Sequence, residues 1–155
     1  MVVEEAFENI IYPGLKEYLI ENSNYSPIVT KAYTEQSKVF PIVIVNLNRV
    51  INNYGNLTYG EENYPFRIDI NIYANDKTID IVESGVSTHK KVSKITIASE
   101  ISGLVETYFK TNFRVTVNRQ DDIDNIDGSI RRNFIRISGI FDTKFGEGNY
   151  VIYPQ

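Results

Sequence analysis

The chain has 155 residues, with 16 Lys and Arg against 20 Asp and Glu, for a formal net charge of -4. This length suits one domain with a full hydrophobic core, and the charge balance lacks the basic excess of a nucleic-acid-binding protein. The absence of cysteine excludes disulfides and thiolate metal sites, and no apolar run approaches the roughly 18 residues that span a membrane.

The N-terminus, "MVVEEAFENI", is acidic and lacks the basic start and apolar stretch of a signal peptide. The expectation is a protein made and used in a cytoplasm. Eleven Tyr and 8 Phe without a Trp fit a sheet protein that touches partners. Val3, Ala6, Phe7, Ile10, Ile11, Leu15, Tyr18 and Leu19 recur at helical spacing, which predicts an amphipathic helix over 3–22. Pro13 and Gly14 lie inside it and are expected to kink or split it.

"VFPIVIVNL" (39–47) reads as a strand buried on both faces. A loop rich in Asn, Gly and Tyr follows, "NNYGNLTYGEENYP" (52–65). In "PFRIDINIYAND", Phe66, Ile68, Ile70 and Ile72 point one way. Arg67, Asp69, Asn71 and Tyr73 point the other, as in a half-buried strand. "KTIDIVESGVSTHKK" (77–91) reads mostly as loop. From Val92, the spacing of Ile95, Ala98, Ile101, Leu104, Val105, Tyr108 and Phe109 predicts a second amphipathic helix to about residue 110.

"FRVTVNR" alternates with Phe113, Val115 and Val117 inward. "SIRRNFIRISGIFD" (129–142) alternates with Ile135, Ile137, Gly139 and Phe141 on one face. Between them stands "DDIDNIDG", where Asp127-Gly128 is a strong turn signal and makes the stretch a hairpin connection. "NYVIYPQ" adds an edge strand stopped by Pro154. The expected fold is α+β: a mainly antiparallel sheet with two amphipathic helices packed on one face, in a single domain over 1–155.

The acidic stretch fails as a calcium loop. Counting from Asp122, Ile126 occupies the fifth position, Gly128 comes one place late and Asn133 replaces the closing Glu. His89 is the only histidine, so no Cys–His pair or zinc cluster can form, and no nucleophile elbow supports a Ser–His–Asp site. No phosphate-cradling glycine motif occurs. Glu61-Glu62 and the carboxylates of 121–127 lie in hydrophilic stretches, where solvated surface charge outweighs catalysis. The sequence thus predicts no catalytic residue, metal or cofactor, and no enzyme. The Arg67, Asp69, Asn71 and Tyr73 face reads equally as a hydrated sheet face or as a meeting surface.

The order of these segments carries a resemblance. "YGEENYPFRIDINIYAND", then the helix "VSKITIASEISGLVETYF", then "NFRVTVNRQDDIDNIDGSIRRNFIRISGIFD" resembles the tail terminator (tail completion) proteins of tailed bacteriophages and related particles. The likeness runs from about residue 39 to 142, and its specificity lies in order and spacing. It implies a homo-oligomeric, commonly hexameric, ring that caps the head-proximal end of the tail tube and ends tail polymerisation. Its implied partners are copies of itself, the tail tube protein, the head-neck proteins and, in contractile tails, the sheath. Its implied location is the virion tail, assembled in the host cytoplasm, with no membrane partner and with DNA only passing through the lumen. An acidic balance suits such a lumen, because like charges repel.

Carried onto this sequence, the resemblance gives two contact regions. One is Tyr59, Glu61, Glu62 and Tyr64; the other is Asp122, Asp124, Asp127, Arg131 and Arg132. The Asp and Arg groups could pair across a subunit interface, or within one chain, where they would only steady the hairpin. The rival functions are a head-closure (stopper) protein of the same particle and a small monomeric ligand-binding domain.

Overall fold

The computed structural model describes residues 3–31, 39–49, 63–123, 127–142 and 151–154. The strictly alternating segment forms β3 (Asn63–Ala74), the centre of the main sheet. It pairs antiparallel with β2 (Ile42–Arg49) on one side and β7 (Arg131–Asp142) on the other. The sheet runs β1-β2-β3-β7-β6, with β1 (Ile28–Thr30) parallel to β2 and β6 (Thr116–Gln120) antiparallel to β7. β8 (Val151–Pro154), the expected edge strand, continues along β7 past β6.

The two helices cover one face. Their core joins Val43 and Val45 of β2, Ile68, Ile70 and Ile72 of β3, and Ile135 and Ile137 of β7. Of the run expected to be buried on both faces, Ile42–Val45 is, with Ile42 and Ile44 buried on the side away from the helices; Val39 before it and Asn46 and Asn48 after it are exposed, because the double burial covers only the first half of β2.

The N-terminal helix is continuous. Its parts are α1 (Val3–Ala6), a π-helical turn (Phe7–Ile11) and α2 (Tyr12–Asn22). Of the kink or split expected at Pro13 and Gly14, the split does not occur, for a physical reason. In a regular α-helix the proline ring would strike the carbonyl one turn back. Here the backbone widens in the turn just before Pro13, where the amide of Tyr12 donates to the Phe7 carbonyl. Gly14 serves packing: a Cβ there would collide with the Tyr108 hydroxyl and lie 3.3 Å from its Cζ.

α3 (Lys94–Asn112) starts at Ser93, whose Oγ accepts the Thr96 amide at 3.3 Å. Ile97, Ala98, Ile101, Val105, Tyr108 and Phe109 are buried. Ile95, expected inside, is 54% exposed. With the first turn fixed by the Ser93 cap, Ile97 takes the core position one turn before Ile101. Tyr108 meets Phe109 and Phe113 edge-on, with ring centroids 5.2 and 6.0 Å apart, and lies 5.6 Å from Tyr18.

The 77–91 segment is not a loop. It forms a hairpin of β4 (Lys77–Glu83) and β5 (Val86–Val92), a separate two-stranded sheet. Ser84 (φ 53°) and Gly85 (φ 78°) form a two-residue turn with both φ angles positive, the backbone that matches strand twist. Only Val92 at its base is fully buried. The polar composition that suggested a loop reflects that exposure. Among the described residues, no helix is long and apolar enough to cross a membrane.

Candidate interaction surface

Strand alternation builds a second, polar face on the side of the sheet away from the helices. β3 contributes Arg67, Asp69, Asn71 and Tyr73; β7 contributes Arg132, Phe134, Arg136 and Ser138. β2 adds Asn46 and Asn48, and β6 adds Thr116, Asn118 and Gln120.

Asp69 and Arg136 stand opposite one another on neighbouring strands, and Arg136 Nε donates to Asp69 Oδ1 at 2.9 Å. Asn48 Nδ2 donates to the other carboxylate oxygen. Asp69 is thus held from both flanks, and its side chain is only 13% exposed. Its hydrogen bond raises the pKa of the Arg136 guanidinium above the usual arginine value. Arg136 also sits 5.2 Å over the Phe134 ring. One step along the strands, Arg132 Nε and Nη2 donate to Asn71 Oδ1 at 3.0 and 2.8 Å, and its guanidinium lies 5.8 Å over Tyr73. Arginine stacked on aromatics and fixed by acceptors is pre-ordered, so a partner would lose little side-chain entropy in using it.

The acidic connection is the second feature, and it is tied down at several points. Asp122 takes a left-handed backbone (φ 58°), which Asp tolerates better than most residues. Its amide donates to Asn133 Oδ1 at 3.1 Å, and Asn133 Nδ2 donates to Ser102 Oγ on α3 at 3.1 Å. Asn133 and Ser102 are both buried. The Ile123 amide donates to the Arg132 carbonyl at 2.8 Å, and Lys94 Nζ donates to the Gly128 carbonyl at 2.7 Å. Arg119 Nε donates to Asp121 Oδ1 at 2.7 Å, which raises the guanidinium pKa, and Arg131 Nη1 lies 3.0 Å from Asp122 Oδ1. The antiparallel hairpin predicted from Asp127-Gly128 is present.

Asp127 Oδ1 accepts the Ser129 hydroxyl at 2.6 Å and the Ser129 amide at 2.9 Å. These bonds, the hydroxyl first, hold the Asp127 carboxyl below its ordinary pKa. A depressed folded pKa means that this turn is favoured above the unfolded value of about 3.9 and loosens as pH falls through the lower folded value. The Ser129 amide resonance, followed by NMR, is expected to titrate with a midpoint below about 3.9 and to lose that titration in Asp127→Ala. A midpoint at or above the free-aspartate value would contradict the turn geometry.

The sequence-predicted contact residues separate accordingly. Tyr59, Glu61, Glu62 and Asp124 lie outside the described residues. Tyr64, expected in the loop, belongs to β3, opposite Phe141, and packs against the core. Asp122 and Arg131 come together within one chain. Arg131 and Arg132 do not form one patch. Successive residues of a strand face opposite ways, so Arg131 stays on the helix side with Asp122 while Arg132 joins Asn71 on the polar face. The sequence reading missed Asn48, Phe134 and Arg136. The alternation of "RRNFIRIS" already carried the signal for the last two, once Ile135 and Ile137 are set inward.

A cleft lies elsewhere, between the β4–β5 hairpin, the residues just after α2 and the start of α3. It has a volume of about 780 Å³ and is lined by Tyr25, Ile79, Ile81, Val82, Lys90 and Lys91, among others. Among the described residues, no group of three or more His, Cys, Asp or Glu side chains is placed to hold a metal.

No protein-family model matches the sequence, and no curated protein matches it either.

Proposed function

We propose that this chain is a structural subunit of a phage-type tail, of the tail-terminator kind. Copies of it close into a ring on the last ring of tube subunits, stop polymerisation and present a surface to the head-neck proteins. The order of elements supports this reading, since β2, β3, β6 and β7 of the stretch that carries the resemblance share one sheet, with α3 packed on it.

The observation that carries it is the polar face. Asp69, Arg136 and Asn48 form one fixed group, and Arg132, Asn71 and Tyr73 form another, on a sheet whose opposite face is the hydrophobic core. Such a face works by geometry: it offers oriented charge and aromatic surface to another protein. Partly desolvated pairs of this kind gain strength when a partner excludes the remaining water.

The test is addition of the purified protein to its cognate tail-tube subunits during polymerisation, with tube lengths read by electron microscopy. Wild-type protein is expected to halt growth and to appear as one extra ring at a tube end. Arg132→Glu combined with Arg136→Glu is expected to weaken capping at least about tenfold while the fold is kept. Tubes of unchanged length with wild-type protein would refute the reading, and an effect on head joining alone would favour a head-closure protein.

A further inference from the structure

We propose that the cleft beneath the β4–β5 hairpin receives the outer face of the N-terminal helix of a second copy of this chain. The proposal rests on the reading of the protein as a ring subunit and identifies which surfaces join neighbouring subunits.

The hairpin argues for a missing partner. An isolated two-stranded ribbon is only marginally stable in water. Among the described residues its anchors lie at its base: buried Val92, Ile79 packed on the core, and Lys77 Nζ donating to the Tyr25 carbonyl at 3.1 Å. Toward the tip, Val82 is 71% and Val86 61% exposed. Ile79 and Lys90 are cross-strand neighbours, as are Ile81 and Thr88, and all but Thr88 line the cleft. The cleft therefore sets Ile79 and Ile81 beside Lys90 on one face of the ribbon, with Lys91, which faces the other way, at its rim. Asp80 is taken by His89 on the hairpin, and Lys90 and Lys91 meet no carboxylate among the described residues.

The complementary surface lies on α2. Glu17 and Glu21 are one turn apart and exposed, and neither meets a cation among the described residues. Like charges at this spacing disfavour the isolated helix. Between them sits Ile20, 53% exposed, with Ile10 partly exposed further back along the helix. The helix thus presents an isoleucine beside two carboxylates, and the cleft presents two isoleucines beside the ammonium group of Lys90, with Lys91 at its rim. This is the recognition of a helix by a groove of mixed apolar and charged lining, with charges setting register. The two surfaces are different patches, so the contact is heterologous, and repeated copies of such a contact close into a ring when the rotation per subunit allows.

Charge exchange tests the contact. Sedimentation velocity over a concentration series reads self-association of the full chain, and thermal melts confirm the fold of each variant. Lys90→Glu with Lys91→Glu, and separately Glu17→Lys with Glu21→Lys, are each expected to weaken association at least about tenfold. All four changes together are expected to recover most of it. Ile20→Asp is expected to abolish association with its melt unchanged, since the residue is exposed in the single chain. Wild-type protein that stays monomeric at every concentration, reversals without effect, or a four-fold variant no better than either pair would each overturn the proposal. A discrete dimer dissolved by the same reversals would keep the contact and reject the ring. Tube capping separates the two readings. Protein that caps tubes but ignores the reversals loses only this contact. Protein that assembles through the contact but leaves tube growth unchanged loses only the terminator function.

Discussion

Asn133→Ala is expected to lower folding stability by about 3 kcal/mol and the melting temperature by roughly 6–12 °C. The residue is 1% exposed and serves two groups at once, donating to Ser102 Oγ and accepting the Asp122 amide. Truncation leaves a buried hydroxyl and a loop amide without their partner, and it opens a small cavity between β7 and α3. The penalty for orphaned buried polar groups exceeds the net worth of the bonds that satisfied them. Ser102→Ala should cost less, about 1 kcal/mol, because the Asn133–Asp122 bond survives. Since the two side chains share a bond, the double variant should be less destabilised than the sum of the singles. Urea unfolding of the four proteins measures this cycle. Strict additivity would mean that the Asn133–Ser102 bond contributes nothing. Loss of the amide bond should also free the Asp122 turn, so the loop between β6 and β7 should exchange its amides faster in Asn133→Ala than in Ser102→Ala.

Gly14→Ala is the second large effect, and its direction runs against helix propensity. Alanine in a helix interior is ordinarily worth about 1 kcal/mol over glycine. Here the added methyl meets the Tyr108 hydroxyl oxygen. Tyr108 cannot swing away cheaply: it is buried, its hydroxyl donates to the Ile11 carbonyl at 3.3 Å, and its ring is wedged among Tyr18, Phe109 and Phe113. Overpacking of this sort costs about 1–3 kcal/mol. The net expectation is destabilisation by up to about 2 kcal/mol, visible as a lower denaturant midpoint at unchanged slope. Tyr108→Phe should relieve part of the clash, so Gly14→Ala in that background should cost less. Stabilisation by Gly14→Ala would mean that the two helices are not in the contact described.

Where the sequence spoke through periodicity, it was readable. The alternation of Phe66, Ile68, Ile70 and Ile72, and of Ile135, Ile137 and Phe141, located two central strands and their inward faces. The helical spacing around Ala98, Ile101, Val105 and Phe109 located α3. These patterns are legible because burial of one face leaves a repeat of two or of about 3.6 residues. The hairpin at 77–92 was not legible, because an exposed ribbon needs no apolar repeat. Its only signals were Ser84-Gly85 and the two isoleucines of β4. The Arg131–Arg132 doublet misled for a related reason, since adjacency in sequence was taken for adjacency in space.

The amino-acid sequence alone determined the class of the fold: α+β, with helices on one side of a mainly antiparallel sheet and a turn at Asp127-Gly128. Each of these follows from local chemistry, from side-chain period and from the backbone freedom of glycine. Tertiary structure alone decided what the polar residues meet. Asp69 reaches Arg136 across 67 positions, Arg132 reaches Asn71 across 61, and Asn133 reaches Ser102 across 31. It also gave Gly14 its purpose, which lies in the ring of Tyr108 and not in the helix that contains it. Such pairings depend on strand order and on helix placement, and those are fixed only when the whole core closes at once.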